Sequence, residues 1–483
     1  MSIVEQVLKQ AGIRKTQSAF MRLLFGLWLA IPGRINYANL ARFSGKHEKT
    51  FRNWFSKPLD YVKLNSCLVE VLQTEQCLSK KLVLAIDASF IQKSGKHTPE
   101  LGKYWNGSQG KAVRGLEVSC CALIDPSQSY ALPLHSQQTP ASFTENQTRL
   151  AHYAKQVETV LAAMPATLHE QIAYVVADAY YTKKDFVDAV ANAGKHFVGK
   201  LRCDANLKYL YQGNPTGKAG RPKKFDGKVD FKDFSKWQEI TNTGPLRMYS
   251  QILYHLRLKR YVRVVCVLRY ISGKDGKTKE KRDLFFSTDT EQTAQDILDI
   301  YQARFQIEFC FRDAKQFSGL LDCQSRQGEA IDFHWQMAFL AVNLAKAERR
   351  LRYPANPEPF VFSMEDAKRR AYNELFVDRI FRFFPHNSTL FNYPDQLESL
   401  LNLGVKAAWN VPDYCKNSVE EIYNKAVKKF VVGGVEERLI LCKIFTFPDI
   451  LKVWSCSSIT WTPRESHINL SHTIRVDRNS EWF

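Results

Sequence analysis

The stretch KLVLAIDASFI, residues 81–91, decides the fold that we predict for this chain. It is apolar and has the length of a β-strand, yet it carries one carboxylate, Asp87. An unpaired charge is costly to bury, so a buried strand rarely contains an aspartate without a specific reason. Asp87 is therefore either a structural residue with a partner in the core or part of a functional site.

The same pattern recurs in AYVVADAYY, residues 173–181, where Asp178 follows an apolar run and precedes a predicted helix. Asp125 lies instead in the turn sequence IDPS, and we interpret it as a turn residue. Residues 146–163 have the periodicity of an amphipathic helix. The other predicted strands are GLEVSCCALIDP (115–126), SYALPLHSQ (129–137) and HFVGKL (196–201).

This order of three strands, helix, strand, helix and strand resembles an RNase H-like α/β fold. In that fold the first and fourth strands are adjacent and parallel, so the resemblance implies that Asp87 and Asp178 lie side by side. Two close carboxylates repel each other unless they share a proton or a cation. Mg²⁺ prefers oxygen ligands and is the natural partner of such a pair.

A second polar pattern lies in YQARFQIEFCFRDAK, residues 301–315, which continues a helical pattern from Thr293 without proline or glycine. At about 100° per residue, one helix face about 80° wide carries five polar side chains. The neighbouring positions are strongly apolar, so we expect a mostly buried helix whose polar face lines a cleft. The alternative is a solvated face with salt bridges. The five residues are Tyr301, Arg304, Glu308, Arg312 and Lys315.

The spacing Tyr301-x2-Arg304-x3-Glu308-x6-Lys315 resembles the Y-R-E-K signature of the IS-four-type family of DDE transposases. The resemblance covers roughly residues 81–346. It implies that Glu308 completes a catalytic triad with the two aspartates and that the triad holds two Mg²⁺ (or Mn²⁺) ions. It also implies that Tyr301, Arg304 and Lys315 grip phosphates, and Arg312 on the same face is a further candidate DNA contact.

The implied activity is cut-and-paste transposition: binding of terminal inverted repeats, metal-dependent strand cleavage and strand transfer. Relatives work as dimers that bridge two DNA ends. Two alternatives remain open. One is another RNase H-like DNA nuclease, which the Y-R-E-K spacing disfavours. The other is a DNA-binding regulator or inactive relative, which the presence of every acidic and signature position disfavours.

Composition agrees with a nucleic-acid partner. The net charge of +19, from 68 Lys and Arg against 49 Asp and Glu, favours a polyanion such as double-stranded DNA. Eleven cysteines without CxxC spacing indicate thiols in a reducing compartment. We find no signal peptide and no apolar run long enough to span a bilayer, so we expect a cytoplasmic, nucleoid-associated protein without membrane contact.

Residues 1–78 are predicted to form a helical DNA-binding domain. Within NYANLARFSGKHEKTFRNWFSK (36–57), the spacing around Gly45 is typical of a helix-turn-helix. Its second helix would expose Lys46, Lys49 and Arg52 to DNA. The alternative is a helical hairpin that serves packing only.

The remaining chain is divided by the gap between Asp178 and Glu308, which is too long for a loop. We predict a β-rich insertion at 202–290 with three strands after residue 246. In relatives a tryptophan of this unit stacks on a flipped base, which makes Trp237 a candidate, although core packing is the simpler interpretation. Arg221, in a Gly-Arg-Pro sequence, is a weak candidate for minor-groove contact. The core would occupy 79–201 and 291–350, followed by a helical region at 351–408 and a tail of unknown role at 409–483.

Overall fold

A computed structural model describes residues 2–145, 147–214, 222–272, 278–352, 362–383 and 401–403. In this described part, twelve strands form one mixed sheet with α-helices packed around it. The strands are β1 (Leu82–Gln92), β2 (Gly102–Asn106), β3 (Lys111–Asp125), β4 (Tyr130–Gln138), β5 (Ile172–Val176), β6 (His196–Leu201), β7 (Leu207–Leu210), β8 (Phe225–Lys228), β9 (Gln238–Asn242), β10 (Leu246–His255), β11 (Arg260–Ser272) and β12 (Thr278–Ser287).

The helices precede the sheet, connect its strands and follow it. They are α1 (Ile3–Gln10), α2 (Lys15–Ala30), α3 (Tyr37–Ser44), α4 (Glu48–Phe55), α5 (Tyr61–Thr74), α6 (Arg149–Ala163), α7 (Ala166–Gln171), α8 (Lys184–Asn192), α9 (Ala294–Ala303), α10 (Gln306–Gln316), α11 (Gly328–Arg352) and α12 (Met364–Phe383). The tail of unknown role, 409–483, lies outside the described residues.

The predicted α/β character is confirmed by this arrangement. The strand order is β2-β3-β1-β5-β6-β12-β11-β10-β7-β8, with β4 also paired to β3 and β9 to β10. β1 is antiparallel to β3 but parallel to β5, and β5 is parallel to β6. The first five residues of β1 are all buried, as expected for a strand covered on both faces.

Asp178 lies slightly beyond the predicted strand end. β5 stops at Val176, and the Asp178 side chain accepts a hydrogen bond from the Tyr180 N–H at 2.9 Å. It thereby caps a short 3-10 helix, Ala179–Tyr181. β1 and β5 are parallel, so both strands run toward the same end of the sheet. Asp87 on β1 and Asp178 just after β5 therefore both lie toward that end.

The strands between β6 and α9 continue the main sheet. β12 pairs antiparallel with β6, with Leu284 opposite Leu201, and β11 and β10 follow outward. The three strands predicted after residue 246 are present as β10, β11 and β12. Sequence inspection missed β2, β7, β8 and β9, which have only four or five residues and lack a long apolar run.

The prediction of one unbroken helix through residues 293–315 is wrong. The helix is divided into α9 and α10 at Arg304 and Phe305. Both residues keep right-handed helical torsion angles, but the local hydrogen bonds span three residues, as in Glu308 N–H to the Phe305 carbonyl at 3.1 Å. No proline or glycine marks this tighter turn, so the sequence contains no obvious signal for it.

The N-terminal helices pack directly on the sheet and its helices. The Trp28 indole N–H donates to the Ser318 carbonyl at 2.9 Å, and the Phe55 ring stacks on Phe333 with centroids 4.5 Å apart. In α5, the Asn65 amide donates to the Leu134 carbonyl of β4 at 2.9 Å. The predicted turn between α3 and α4 is present, with Gly45 at φ +70°.

Gly319 lies where the N-terminal segment meets the core. Its φ is +71°, and a Cβ at this position would approach Cγ1 of Ile35 to 2.7 Å. The Ile35 N–H donates to Asp322 Oδ2 at 2.8 Å, and the His334 ring lies 2.7 Å from the Gly319 carbonyl. Close backbone approach and a left-handed conformation therefore both require glycine here.

We expect Gly319→Ala to lower the free energy of unfolding by about 2–4 kcal/mol, from left-handed strain plus crowding against Ile35. Gly194→Ala is the matched control, because Gly194 has φ +72° but open space, among the described residues, where a Cβ would lie. It should cost only about 1–2 kcal/mol. Chemical denaturation of both variants measures the difference, and equal losses would show that crowding at Ile35 contributes nothing.

Candidate active site

Asp87 lies on β1 in the middle of the sheet, and its side chain is 22% exposed. Its Oδ1 accepts a hydrogen bond from the Ala88 N–H at 2.8 Å. Burial, followed by the negative charge of Asp178, raises the pKa of Asp87 to about 7, although Arg304 and the Ala88 N–H act in the opposite direction. At neutral pH, therefore, this carboxyl is poised between its protonated and ionised forms.

The pKa of Asp178 is also set by opposing effects, namely burial on one side and nearby polar and charged groups on the other. Burial raises its pKa, while the Tyr180 N–H and the positive charge of Arg304 oppose that rise. The two aspartates are thus close enough for one charge to disfavour the other, as the parallel pairing of β1 and β5 implies. Such a pair needs a proton or a cation to be stable.

Arg304 provides the positive charge that lies among the carboxylates. Its Nη2 is 3.1 Å from Oε1 of Glu308, and its Nη1 is 3.9 Å from Oδ2 of Asp87. The Arg304 side chain is only 12% exposed. Burial lowers its pKa, but Tyr301 and the three carboxylates outweigh that effect and raise it. The α9–α10 break places this guanidinium between β1 and α10.

Tyr301 and Lys315 flank this group. The Tyr301 ring packs against Phe285 with centroids 4.8 Å apart, and the guanidinium carbon of Arg304 lies 5.5 Å from the Tyr301 ring centre. Lys315 Nζ donates to Ser89 Oγ at 2.7 Å and to the Phe90 carbonyl at 2.8 Å, which fixes α10 to β1. Burial lowers the pKa of Lys315, and the charge of Asp87 opposes this.

Arg312 does not join the carboxylates in this structure. Its guanidinium contacts Asp313 at 2.8 Å and lies 4.7 Å from the centre of the Phe309 ring. Arg312 lies four residues after Glu308 on α10, but its guanidinium is taken up by these two neighbours. A DNA contact by Arg312 stays a prediction.

The candidates in the insertion are not part of this cluster either. Trp237 is only 7% exposed, and its indole N–H donates to the Tyr209 hydroxyl at 3.0 Å. This is the packing arrangement that was the simpler interpretation, and base stacking would require the indole to leave it. Arg221 lies outside the described residues.

The candidates in and before α4 are exposed, as the helix-turn-helix pattern predicts, but Lys46 lies in the turn that precedes the helix and not on it. Lys46 and Lys49 face solvent, whereas Arg52 pairs with Glu48 at 3.1 Å and lies 4.6 Å from the Tyr37 ring centre. Phe51 is buried. Their role in DNA binding stays a prediction.

Sequence inspection missed Lys200. It lies opposite Phe285 in the β6–β12 register, and its Nζ is 2.8 Å from Oδ1 of the buried Asp283 and 5.8 Å from the Phe285 ring centre. Phe285 is the ring on which Tyr301 packs. The sequence offered only a lysine at a strand end, because its neighbours come from β12 and α9.

The donor chemistry of the site fits a divalent cation. Three carboxylates supply hard oxygen ligands, and the mutual repulsion of Asp87 and Asp178 provides the charge that an ion would neutralise. Within the described ranges, no three His, Cys, Asp or Glu side chains are arranged to ligate one ion together. Glu308 is instead held by Arg304, and its side chain is 40% exposed, so it has room to reorient.

These features define a site of three carboxylates beside the carboxyl end of β5, in the interior of a mixed sheet. The divided helix α9–α10 packs against it. Comparison with protein families gives the class: the family described as "Transposase DDE domain" matches residues 78–344. The chain therefore belongs to the DDE transposases, whose partner is DNA and whose domains generally use divalent metal ions. None of the curated proteins matches the chain. Among the described residues, no helix is long and apolar enough to cross a membrane.

We expect Asp87→Asn to stabilise the metal-free protein at alkaline pH. The pKa of Asp87 is about 7 in the folded chain and about 3.9 in an unfolded one. The folded state therefore binds more protons between these values, and its stability falls as the pH rises toward 7. In EDTA, the variant should melt about 2–6 °C above the wild type at pH 8 and close to it at pH 4.

The control for this measurement is Asp299→Asn, which removes an exposed carboxylate of α9. Its melting temperature should follow that of the wild type across the pH range. If Asp87→Asn also followed the wild type, the electrostatic conflict between the two aspartates would be contradicted.

Proposed function

We propose that the chain is a cut-and-paste DNA transposase of the IS-four type, with Asp87, Asp178 and Glu308 as its catalytic carboxylates. The observation that carries this proposal is the contact of one buried arginine, Arg304, with carboxylates from β1 and α10, beside a third carboxylate that follows β5. Parts of the chain that are distant in sequence thus meet at Arg304 and Glu308, two residues of the Y-R-E-K signature.

The order β4-β3-β1-β5-β6 supports an RNase H-like core, because it places the two aspartate-bearing strands side by side and parallel. In this proposal residues 79–201 and 291–350 form the core and 202–290 the insertion. Residues 1–78 bind the transposon end through Lys46, Lys49 and Arg52. Trp237, Arg221 and Arg312 remain secondary candidates for DNA contact.

The carboxylates of Asp87, Asp178 and Glu308 would hold two Mg²⁺ or Mn²⁺ ions. When bound, such ions would activate water or a 3′-hydroxyl and offset charge on the leaving oxygen. Each protein group then has a defined part. The Asp87 carboxyl, whose pKa is about 7, would ligate a cation in its ionised form. Glu308, which pairs with Arg304 in this structure, would supply the ligand from α10.

Arg304 has two parts in this scheme. In the protein without DNA, its guanidinium compensates the three carboxylates and keeps α10 against β1. Its Nε is buried and has no hydrogen-bond partner among the described residues. Once the carboxylates have another cation, the guanidinium is free to donate to a phosphate, for which its planar fork is well suited. Tyr301 supports the guanidinium from one side.

Lys315 serves position more than charge. Its ammonium group is already held by Ser89 and the Phe90 carbonyl, two and three residues after Asp87. It therefore fixes the distance between Glu308 on α10 and Asp87 on β1. A DNA phosphate that reaches this position finds a lysine whose orientation is set in advance, which reduces the entropy lost on binding.

The test is cleavage of a labelled DNA duplex in the presence of Mg²⁺ or of EDTA. The duplex carries the terminal inverted repeat of the insertion sequence that encodes the chain. We expect metal-dependent nicking at the repeat boundary by the wild type. Asp87→Ala and Glu308→Gln should lower the cleavage rate by at least about a thousandfold, because catalysis depends on these carboxylates. Binding of the repeat should change little, since the proposed end-binding residues lie on α4 and in the turn before it.

The matched control is Glu170→Gln, which changes an exposed glutamate of α7, at the opposite end of β5 from Asp178, and should cleave normally. Specific binding without cleavage in Mg²⁺ and Mn²⁺ would contradict the enzyme proposal and favour the DNA-binding regulator. Loss of both binding and cleavage in Glu308→Gln would contradict the assigned role of Glu308.

Metal binding can be tested without cleavage. Adding Mg²⁺ or Mn²⁺ should raise the melting temperature of the wild type, because a ligand that binds only the folded state stabilises it. A 100-fold excess over the dissociation constant corresponds to about 2.7 kcal/mol. Asp87→Asn should lose this response and Asp299→Asn should keep it. A full response in Asp87→Asn would exclude Asp87 as a ligand.

A further inference from the structure

A two-stranded ribbon extends beyond the sheet at the end of the strands near which Asp87 and Asp178 lie. We define the β2–β3 ribbon as residues 102–115, in which Gly102 pairs with Gly115 and Asn106 with Lys111. β1 pairs with β3 only as far as Gly115, and β4 only as far as Val118. The outer part of the ribbon therefore has no other strand beside it in the described structure.

The ribbon projects from the same end of the sheet as the candidate active site. β3 is antiparallel to β1, so its first four residues, 111–114, extend past the carboxyl end of β1. Cys120 lies opposite Asp87, and the distance along β3 from Cys120 to Lys111 is about 30 Å at 3.3 Å per residue. That length corresponds to about nine base pairs of a DNA duplex, at 3.4 Å per base pair.

One face of the ribbon is basic and aromatic. Lys103 lies directly opposite Arg114, and Trp105 lies opposite Ala112, so the four side chains share a face. Trp105 is 62% exposed, and Lys103 and Arg114 are exposed too. Because its cross-strand neighbour is an alanine, the indole is left uncovered.

This face is unfavourable for the protein alone. Like charges directly opposite each other on a sheet destabilise it, and neither Lys103 nor Trp105 has a hydrogen-bond, ionic or ring partner among the described residues. Arg114 has one long contact, 3.5 Å to the Gly95 carbonyl. The acidic residues nearest in sequence are also engaged: Glu100 accepts from the Ala141 N–H at 2.8 Å, and Glu117 lies 3.5 Å from the Arg149 guanidinium.

The opposite face holds the ribbon in place. Tyr104 is 1% exposed, and its hydroxyl contacts the Thr139 carbonyl at 2.8 Å and the Glu100 carbonyl at 2.9 Å. The Arg149 guanidinium lies 5.1 Å from the centre of the same ring. The basic face is thus presented by an anchored element, so little entropy is lost when a ligand binds.

We propose that the β2–β3 ribbon binds a DNA groove, with Lys103 and Arg114 on phosphates and Trp105 against a base or sugar. A two-stranded ribbon fits the major groove of B-DNA, and exposed tryptophan beside cations is suited to nucleic acid. Lys93, Lys96 and Lys111 add positive charge in the adjoining sequence. This inference extends the proposed function, which assigns no role to the ribbon.

The test measures binding of a fluorescent 30-base-pair duplex of arbitrary sequence by anisotropy, in EDTA and at several salt concentrations. The double variant Lys103→Gln/Arg114→Gln should reduce the slope of log K against log salt by about 2, because each phosphate contact contributes about 0.9. Trp105→Ala should weaken binding about tenfold, and Trp105→Phe should keep most of the affinity.

The matched control is Lys155→Gln/Lys184→Gln, which removes the same charge from exposed positions on α6 and α8. Its salt slope should equal that of the wild type. If the ribbon variant behaved like this control, the proposal would be overturned. It would also be overturned if Trp105→Ala left DNA binding intact and converted a dimer into a monomer, which would identify a contact between protein copies.

A second measurement does not depend on how well the variants fold. Photo-crosslinking of the unaltered protein to a duplex that contains bromodeoxyuridine should label a peptide within residues 102–115, and absence of label there would overturn the proposal. Because EDTA prevents cleavage, the outcome is separate from that of the proposed function. A chain that binds through the ribbon but never cuts would refute the catalytic proposal alone.

Discussion

The repulsion between two aspartates is the constraint on which the rest of this structure depends. Asp87 and Asp178 come together because β1 and β5 are parallel neighbours in the centre of the sheet. Burial there makes their charges costly, and the protein offsets that cost with the buried guanidinium of Arg304. Arg304 lies at the α9–α10 break, and the contact of Lys315 with Ser89 joins α10 to β1. The folded core thus holds unfavourable charges at one edge, as functional sites commonly do.

The sequence predicted those elements whose residues carry their own signal. Apolar runs identified β1, β3, β4, β5 and β6, and the serine-rich turn explained Asp125, whose carboxylate accepts from the Ser79 and Ser127 N–H groups. The spacing around Glu308 selected Arg304, which the structure places against Glu308 and Asp87. The helical periodicity and the chemistry of the side chains both selected Arg304 and Glu308. The prediction of these two residues therefore did not depend on the helix being unbroken.

The misses have a shared physical cause, since each depends on contacts between parts of the chain that are distant in sequence. The turn at Arg304 and Phe305 contains no helix-breaking residue, and Lys200 acquires its surroundings only through the pairing of β6 with β12. β7, β8 and β9 are short strands held by β10 and by one another. A helical projection cannot locate such contacts, and it also does not show that the Arg312 guanidinium contacts its neighbour Asp313.

The distribution of positive charge also separates two kinds of proposed DNA contact. Near the carboxylates, Arg304 and Lys315 are buried and already hydrogen-bonded, so their orientation is fixed and they suit a phosphate held in one geometry. On α4 and on the β2–β3 ribbon, the cations are exposed, which suits adaptable contacts with DNA of many sequences. An enzyme that must hold one phosphate for chemistry and also accommodate a long duplex needs both kinds. In this chain they lie on different elements, so each can be altered without changing the other.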